Sequence, residues 1–185
     1  MHQTTLVDEI ANAGTLNVGF GMAKLKSVKR AYPKVYEFTV TLAGTSPMIW
    51  RRFLAHEIIH LDELHMLIQM TMGWEASHLY EFTFGNKKYA ASIHADDSGA
   101  ENAENAEDVS LSDALGDSRK FSYLYDFGDG WHHEVEITNT FDHDPARKYP
   151  VCVAGENACP PEDCGGPPGF EELKEILAGE NPQEK

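Results

Sequence analysis

The stretch FSYLYDFGDGWHHEVEI, residues 121–137, decides how the rest of the chain is read. Phe121, Tyr123, Tyr125 and Phe127 alternate with Ser122, Leu124 and Asp126. Trp131, His133, Val135 and Ile137 alternate beyond Gly128-Asp129-Gly130. A two-residue period on both sides of a glycine-rich turn predicts an antiparallel β-hairpin with one face in the core. Pairing Phe127 with Trp131 sets Tyr125 across from His133 on the core side and Asp126 across from His132 on the other.

Upstream, Tyr36, Phe38, Val40 and Leu42 alternate with Glu37, Thr39 and Thr41, so a strand begins near Val35. Gly44-Thr45-Ser46-Pro47 turns the chain into a second strand, roughly Ile49 to Leu54. Leu61, Leu64, His65, Ile68 and Met72 fall at helical spacing, with Asp62 and Glu63 in the first turn and Gly73 placed to stop the helix. His78, Tyr80, Phe82 and Phe84 share one face of a third strand, and Asn86 turns it into Lys88–Ile93. Ser110 to Asp113 starts a short helix in the manner of a capping box. Residues 142–169 are rich in Pro, Gly and Cys and read as a long loop, after which Phe170, Leu173, Ile176 and Leu177 mark a closing helix that Gly179 ends. The expected fold class is α+β: a mostly antiparallel sheet of about five or six strands with two or three packed helices, at 61–72, 110–116 and 169–178.

A chain of 185 residues with 42% apolar residues suits one domain. We place that domain at 34–180, after a loosely structured leader at 1–33, with an acidic, disordered loop at 95–109. No apolar run is long enough to span a membrane, and Met1 to Ala13 lacks the basic-then-apolar layout of a signal peptide, so a cytoplasmic protein is expected. Net charge is −15. Such acidity disfavours passive nucleic-acid binding, despite the cluster Lys24, Lys26, Lys29, Arg30 and Lys34, and leaves a protein partner as the alternative.

His56-Glu57-Ile58-Ile59-His60 matches the HExxH signature of zinc metalloproteases, in which two His one helical turn apart hold the metal and the Glu is the general base. That chemistry needs all three on one helix. Here the motif follows a strand-like run, and the next helix starts at His60 or Leu61. We therefore read it as a strand-to-helix connection.

Three segments carry a resemblance: SPMIWRRFL with LDELHMLIQMTMGWEASHLYEF (46–54 and 61–82), YLYDFGDGWHHEVEI (123–137) and YPVCVAGENACPPEDCGGPPGF (149–170). Together they resemble the plasmid ORF-3-like family, named after an open reading frame of a root-inducing plasmid, some members of which are labelled insertion-element passenger proteins (TnpR). The resemblance runs from residue 35 to about 178. It implies a compact α+β domain and brings no established activity. Its pattern admits Val where Cys164 stands, and residues 1–33 have no counterpart in it.

The segments bring together a polar set: His78, Asp126, Asp129, His132, Glu162 and Asp163, with His65 and Glu81 nearby in sequence. Carboxylates and imidazoles in such number suit a divalent ion (Zn, Mg or Mn) or acid–base work. Asp129 before Gly130 is also ordinary turn chemistry, and Asp126 with His132 is also an ordinary cross-strand pair. Cys152, Cys159 and Cys164 form a second metal candidate, with His132 or His133 as a further ligand, although their spacing is not that of paired zinc-binding cysteines. Two functional readings follow. One is a non-enzymatic binding or accessory protein associated with mobile elements. The other is a metal-dependent hydrolase, acting on nucleic acid, using Asp126, Asp129, His132, Glu162 and Asp163. Both require the 149–168 loop to fold over the tip of the hairpin.

Overall fold

The computed structural model describes residues 33–91, 103–107 and 109–179, and all of these lie in the unit Tyr32–Lys185. In chain order the elements are β1 (Val35–Leu42), β2 (Ile49–His56), α1 (Leu61–Met72), β3 (Tyr80–Phe84), β4 (Lys87–Ala90), β5 (Glu104–Asn105), α2 (Leu111–Leu115), β6 (Lys120–Tyr125), β7 (Trp131–Phe141), β8 (Val151–Glu156) and α3 (Gly166–Leu177). The strands form one sheet in the order β5-β4-β3-β6-β7-β1-β2-β8. Every pairing is antiparallel except β4 with β5. The class is α+β, as the periodicities imply.

The sheet is one-faced. Phe38, Val40, Leu42, Phe121, Tyr123, Tyr125, Trp131, Val135 and Ile137 all turn into the core, while intervening residues such as Ser122, His132 and Glu134 face out. A side-chain period of two forces this alternation once one face is covered. The cover comes from α1, which buries Leu61, Leu64, His65, Ile68, Gln69 and Met72 along one stripe. Each fully buried aliphatic side chain there contributes about 2 kcal/mol. The Glu63 carboxylate accepts the His60 N–H at 3.0 Å to close the start of α1. Gly73, at φ 87°, ends it in the left-handed conformation that a C-terminal glycine supplies without a Cβ penalty.

Four expectations change. The sheet has eight strands, not five or six, because β5 and β8 lie in segments whose composition reads as loop. Val151–Glu156 is a strand through its pairing with β2, a contact about a hundred residues away in sequence that no local pattern announces. Glu104–Asn105 pairs with β4, and the adjoining Ala106 is fully buried, so part of the stretch read as disordered belongs to the sheet. The remainder of that stretch, 95–102 and 108, and the leader at 1–32 lie outside the described residues. Helix α3 begins at Gly166 rather than 169, since Pro167 and Pro168 sit in a first turn that needs no donors from them. Finally, the hairpin register differs: Tyr125 pairs with Trp131, Tyr123 with His133 and Leu124 with His132. Asp126 leaves the strand because its side chain closes the turn itself, its Oδ1 accepting from Gly128 N (2.9 Å) and Asp129 N (3.2 Å).

The HExxH motif falls where the connection was expected. His56 is the last residue of β2, and His60 precedes α1. The His56 ring lies 5.2 Å from both His143 and Tyr149 rather than turning with His60 toward a shared ion. Among the described residues no helix is long and apolar enough to cross a membrane.

Candidate functional site

The Pro-rich segment between β8 and α3 does fold onto the tip of the β6–β7 hairpin, and a few specific bonds hold it there. Trp74, just past α1, donates its indole N–H to the Pro160 carbonyl at 2.8 Å. Glu162 reaches inward: its Oε1 accepts from the Tyr125 hydroxyl at 2.9 Å and from the Glu75 N–H at 2.8 Å. Asp129 accepts the Gly165 N–H at 3.1 Å, which places a carboxylate at the start of α3, where unsatisfied N–H groups favour negative charge. A Cβ on Gly166 (φ 68°) would run into the Asp129 carbonyl oxygen, so the first turn of α3 sits directly on the hairpin backbone.

These contacts gather three carboxylates around one imidazole nitrogen. His78 Nε2 lies 2.9 Å from Asp163 Oδ1, 3.8 Å from Asp126 Oδ2 and 3.9 Å from Glu162 Oε2. Despite the short approach to Asp163, this nitrogen is itself buried and makes no hydrogen bond of acceptable geometry. Asp126 uses Oδ1 for the turn and leaves Oδ2 for the site. Asp163 is the outermost member, with 74% of its side chain exposed. Ala76, Asp126 and Asp163, three of the four non-glycine residues with positive φ among the described residues, flank this cluster. Left-handed backbone costs on the order of 1–3 kcal/mol per non-glycine residue, and such strain collects at functional sites.

The distances suit an ion. Ligands about 2.1 Å from one metal stand about 3 Å apart when perpendicular and about 4.2 Å apart at most. The ligand atoms of His78, Asp126 and Asp163 all lie within 4.8 Å of one another, so little movement would bring them to such a centre. An imidazole with carboxylates is a donor set for Zn²⁺ or Mn²⁺ more than for Ca²⁺. Below the cluster the surroundings are aromatic: Trp74 stacks on Tyr125 with centroids 5.1 Å apart, and His78 meets the Tyr125 ring edge-on. Burial, then the bond to Glu162, hold the Tyr125 hydroxyl far above its ordinary pKa, so it stays a donor. Deeper still, His65 Nδ1 and Gln69 Nε2 both meet the buried Tyr123 hydroxyl, at 2.7 and 2.9 Å.

Of the six residues expected in the site, the structure brings together four: His78, Asp126, Glu162 and Asp163. Asp129 is engaged with α3. His132 projects from the exposed face of β7 opposite Leu124, because the two-residue register change removes it from the turn. The three cysteines are not gathered either. Cys152 is exposed on β8, whereas the Cys159 Sγ lies 3.1 Å from an Arg51 guanidinium nitrogen and 3.4 Å from Met72 Sδ. Burial pushes the thiols of Cys159 and Cys164 up, against the thiolate form that a metal needs. The role of Trp74 in latching the loop had no signal in the sequence, where it read only as an aromatic near the end of a helix.

A one-faced, mostly antiparallel sheet with a helix across it and a strapped polar cluster at one hairpin tip defines an α+β domain built around a long ordered loop. Residues 34–185 match the family described as Plasmid pRiA4b ORF-3-like protein, and the chain belongs to that family. It is 39% identical over 148 residues to "Uncharacterized protein y4hQ" of Sinorhizobium fredii (strain NBRC 101917 / NGR234), covering 78% of this chain and 73% of that protein. Its fold is also similar to the crystal structure of protein of unknown function MM3350 from Methanosarcina mazei Go1, with a TM-score of 0.72 at 33% identity, covering 80% of this chain and 83% of that one.

Proposed function

We propose that the protein is a non-enzymatic binding module that takes a divalent cation, Zn²⁺ or Mn²⁺, at His78, Asp126 and Asp163, with Glu162 as a neighbouring carboxylate. The observation that carries this is the His78 Nε2 atom, buried, without a hydrogen bond, and facing three carboxylates at 2.9 to 3.9 Å. An ion there would neutralise the converging negative charge and tie the segment leading into β3, the hairpin and the 157–165 loop together. An accessory role on a mobile element agrees with the plasmid origin in the family's name. The hydrolase reading has less support, because Asp129 and His132 are directed elsewhere.

The test is thermal unfolding with and without Zn²⁺, Mn²⁺ or Mg²⁺ after chelation. At an ion concentration one hundred times Kd, binding to the folded state adds about 2.7 kcal/mol, which raises Tm by roughly 5–10 °C for a domain of this size. His78→Ala and Asp163→Ala should lose most of that gain, while His132→Ala keeps it. Equal gains in all four proteins would remove the site.

A further inference from the structure

A second feature lies at the β8 end of the sheet. β8 is an edge strand: it pairs with β2 on one side, and no strand among the described residues pairs with its other side. Natural edges are blunted by lysines, prolines or a covering segment. β8 reads VCVAGE, and Val151, Cys152 and Val153 are all exposed. Beside it runs an apolar groove between α1 and the start of β8. Two adjoining hollows of about 630 and 270 Å³, with Leu67 and Pro150 in the walls of both, make up this channel. Ile58, in the connection before α1, and Met66 and Met70, on α1 away from its buried stripe, line it and are 62%, 47% and 71% exposed.

The channel is also charged in one sense. Asp62 and Glu63 line it, and neither hollow has a Lys or Arg in its wall. A cationic side chain entering the channel would meet the carboxylate charge of Asp62 and Glu63. With a chain charge of −15, pairing two copies along this edge would set like charges together.

We propose that this face docks an extended, positively charged segment of a protein partner, which adds to β8 as a further strand. Main-chain hydrogen bonds to the edge of β8 that is unpaired among the described residues supply the attachment, as in other strand-addition complexes. Every second side chain of the segment lies over the helix-bearing face of the sheet. There its apolar groups enter the channel beside Met66 and Met70, whose flexible thioethers adapt to varied partners. Its Lys or Arg groups meet Asp62 and Glu63.

The test is selection from a random-peptide phage library on the full-length protein, followed by affinity measurement with the synthetic winners. Expected peptides carry apolar residues together with Lys or Arg at every second position, on one face of the added strand, and their binding weakens as salt is raised from about 50 to 500 mM. Val151→Lys with Val153→Lys, and separately Met66→Lys, should each weaken binding at least tenfold. These positions are solvent-exposed, so unchanged Tm confirms that the fold survives, and Met48→Lys, exposed elsewhere, should bind as the wild type does. Recovery of no peptide, recovery of acidic or uncharged peptides, or affinities indifferent to all these changes would overturn the proposal. So would sedimentation showing a dimer that the β8 substitutions dissociate, which would give the face to a second copy.

Discussion

Acid should destabilise this protein through two histidines buried without charge, and His133 isolates the effect. The residue is 1% exposed, its Nδ1 lies 3.2 Å from the Tyr123 carbonyl, and the Trp74 ring stands edge-on at 5.4 Å. Its Nε2 has no partner. Burial drops its pKa from 6.5 to about 4, and burial does the same to His65. Between those two values the unfolded chain binds a proton at each site and the folded chain does not, so stability rises with pH. The contribution is complete above pH 6.5 and is lost as pH falls toward 4. A gap of about 2.5 pH units at about 1.4 kcal/mol each amounts to roughly 3 kcal/mol per histidine. Near pH 5.2 the two together add a slope of about 2.7 kcal/mol per pH unit. Glu37, whose carboxyl is held low by Thr138, Asn139 and Arg52 against its burial, adds its own loss at lower pH, below the ordinary carboxylate range. The assay is urea unfolding at steps from pH 4.5 to 7 in the presence of chelator. His133→Leu costs about 1 kcal/mol above pH 6.5, since the Tyr123 carbonyl loses its donor, and should cut the slope near pH 5.2 by half, so that its deficit shrinks as pH falls. An unchanged slope would mean that His133 is charged or hydrated in the native state, and the reasoning from burial would fail.

Gly166→Ala should lower stability by about 2 kcal/mol or more, because its positive φ is unfavourable for alanine and the new methyl meets the Asp129 carbonyl; urea unfolding measures this, and a neutral substitution would show that α3 is not seated on the hairpin. With a maleimide reagent at pH 7, exposed Cys152 should react fast and Cys159 at least tenfold more slowly, its thiol raised by burial between Met72 and Arg51. Mass spectrometry of the labelled peptides reads the two rates, and equal rates would place Cys159 in solvent.

How much of the site the sequence disclosed can be judged from particular residues. The types were legible: a His and three acids stood in segments marked by turn chemistry and a long loop. The partnership was not. The sequence alone sets Asp126 against His132, but a two-residue period fixes which side chains meet across a hairpin only when the turn length is known. Here the Asp126 carboxylate lengthened the turn by capping Gly128 and Asp129. Likewise Glu162 and Asp163 could be placed near the hairpin only as a conjecture, since the latch is Trp74 to Pro160, a contact 86 residues apart.

Residues 35–42, 61–72 and 121–137 announced their structure alone, because half-burial imposes a period of two on a strand and of 3.6 on a helix, and that period is written locally. The one-faced sheet, the α+β class and the failure of HExxH all followed from it. What only the tertiary structure decided was pairing: β8 on β2, β5 on β4, the hairpin register, and the meeting of His78 with Asp126, Glu162 and Asp163. Such contacts are stabilised by partners far along the chain, so their free energy leaves no periodic trace at either end.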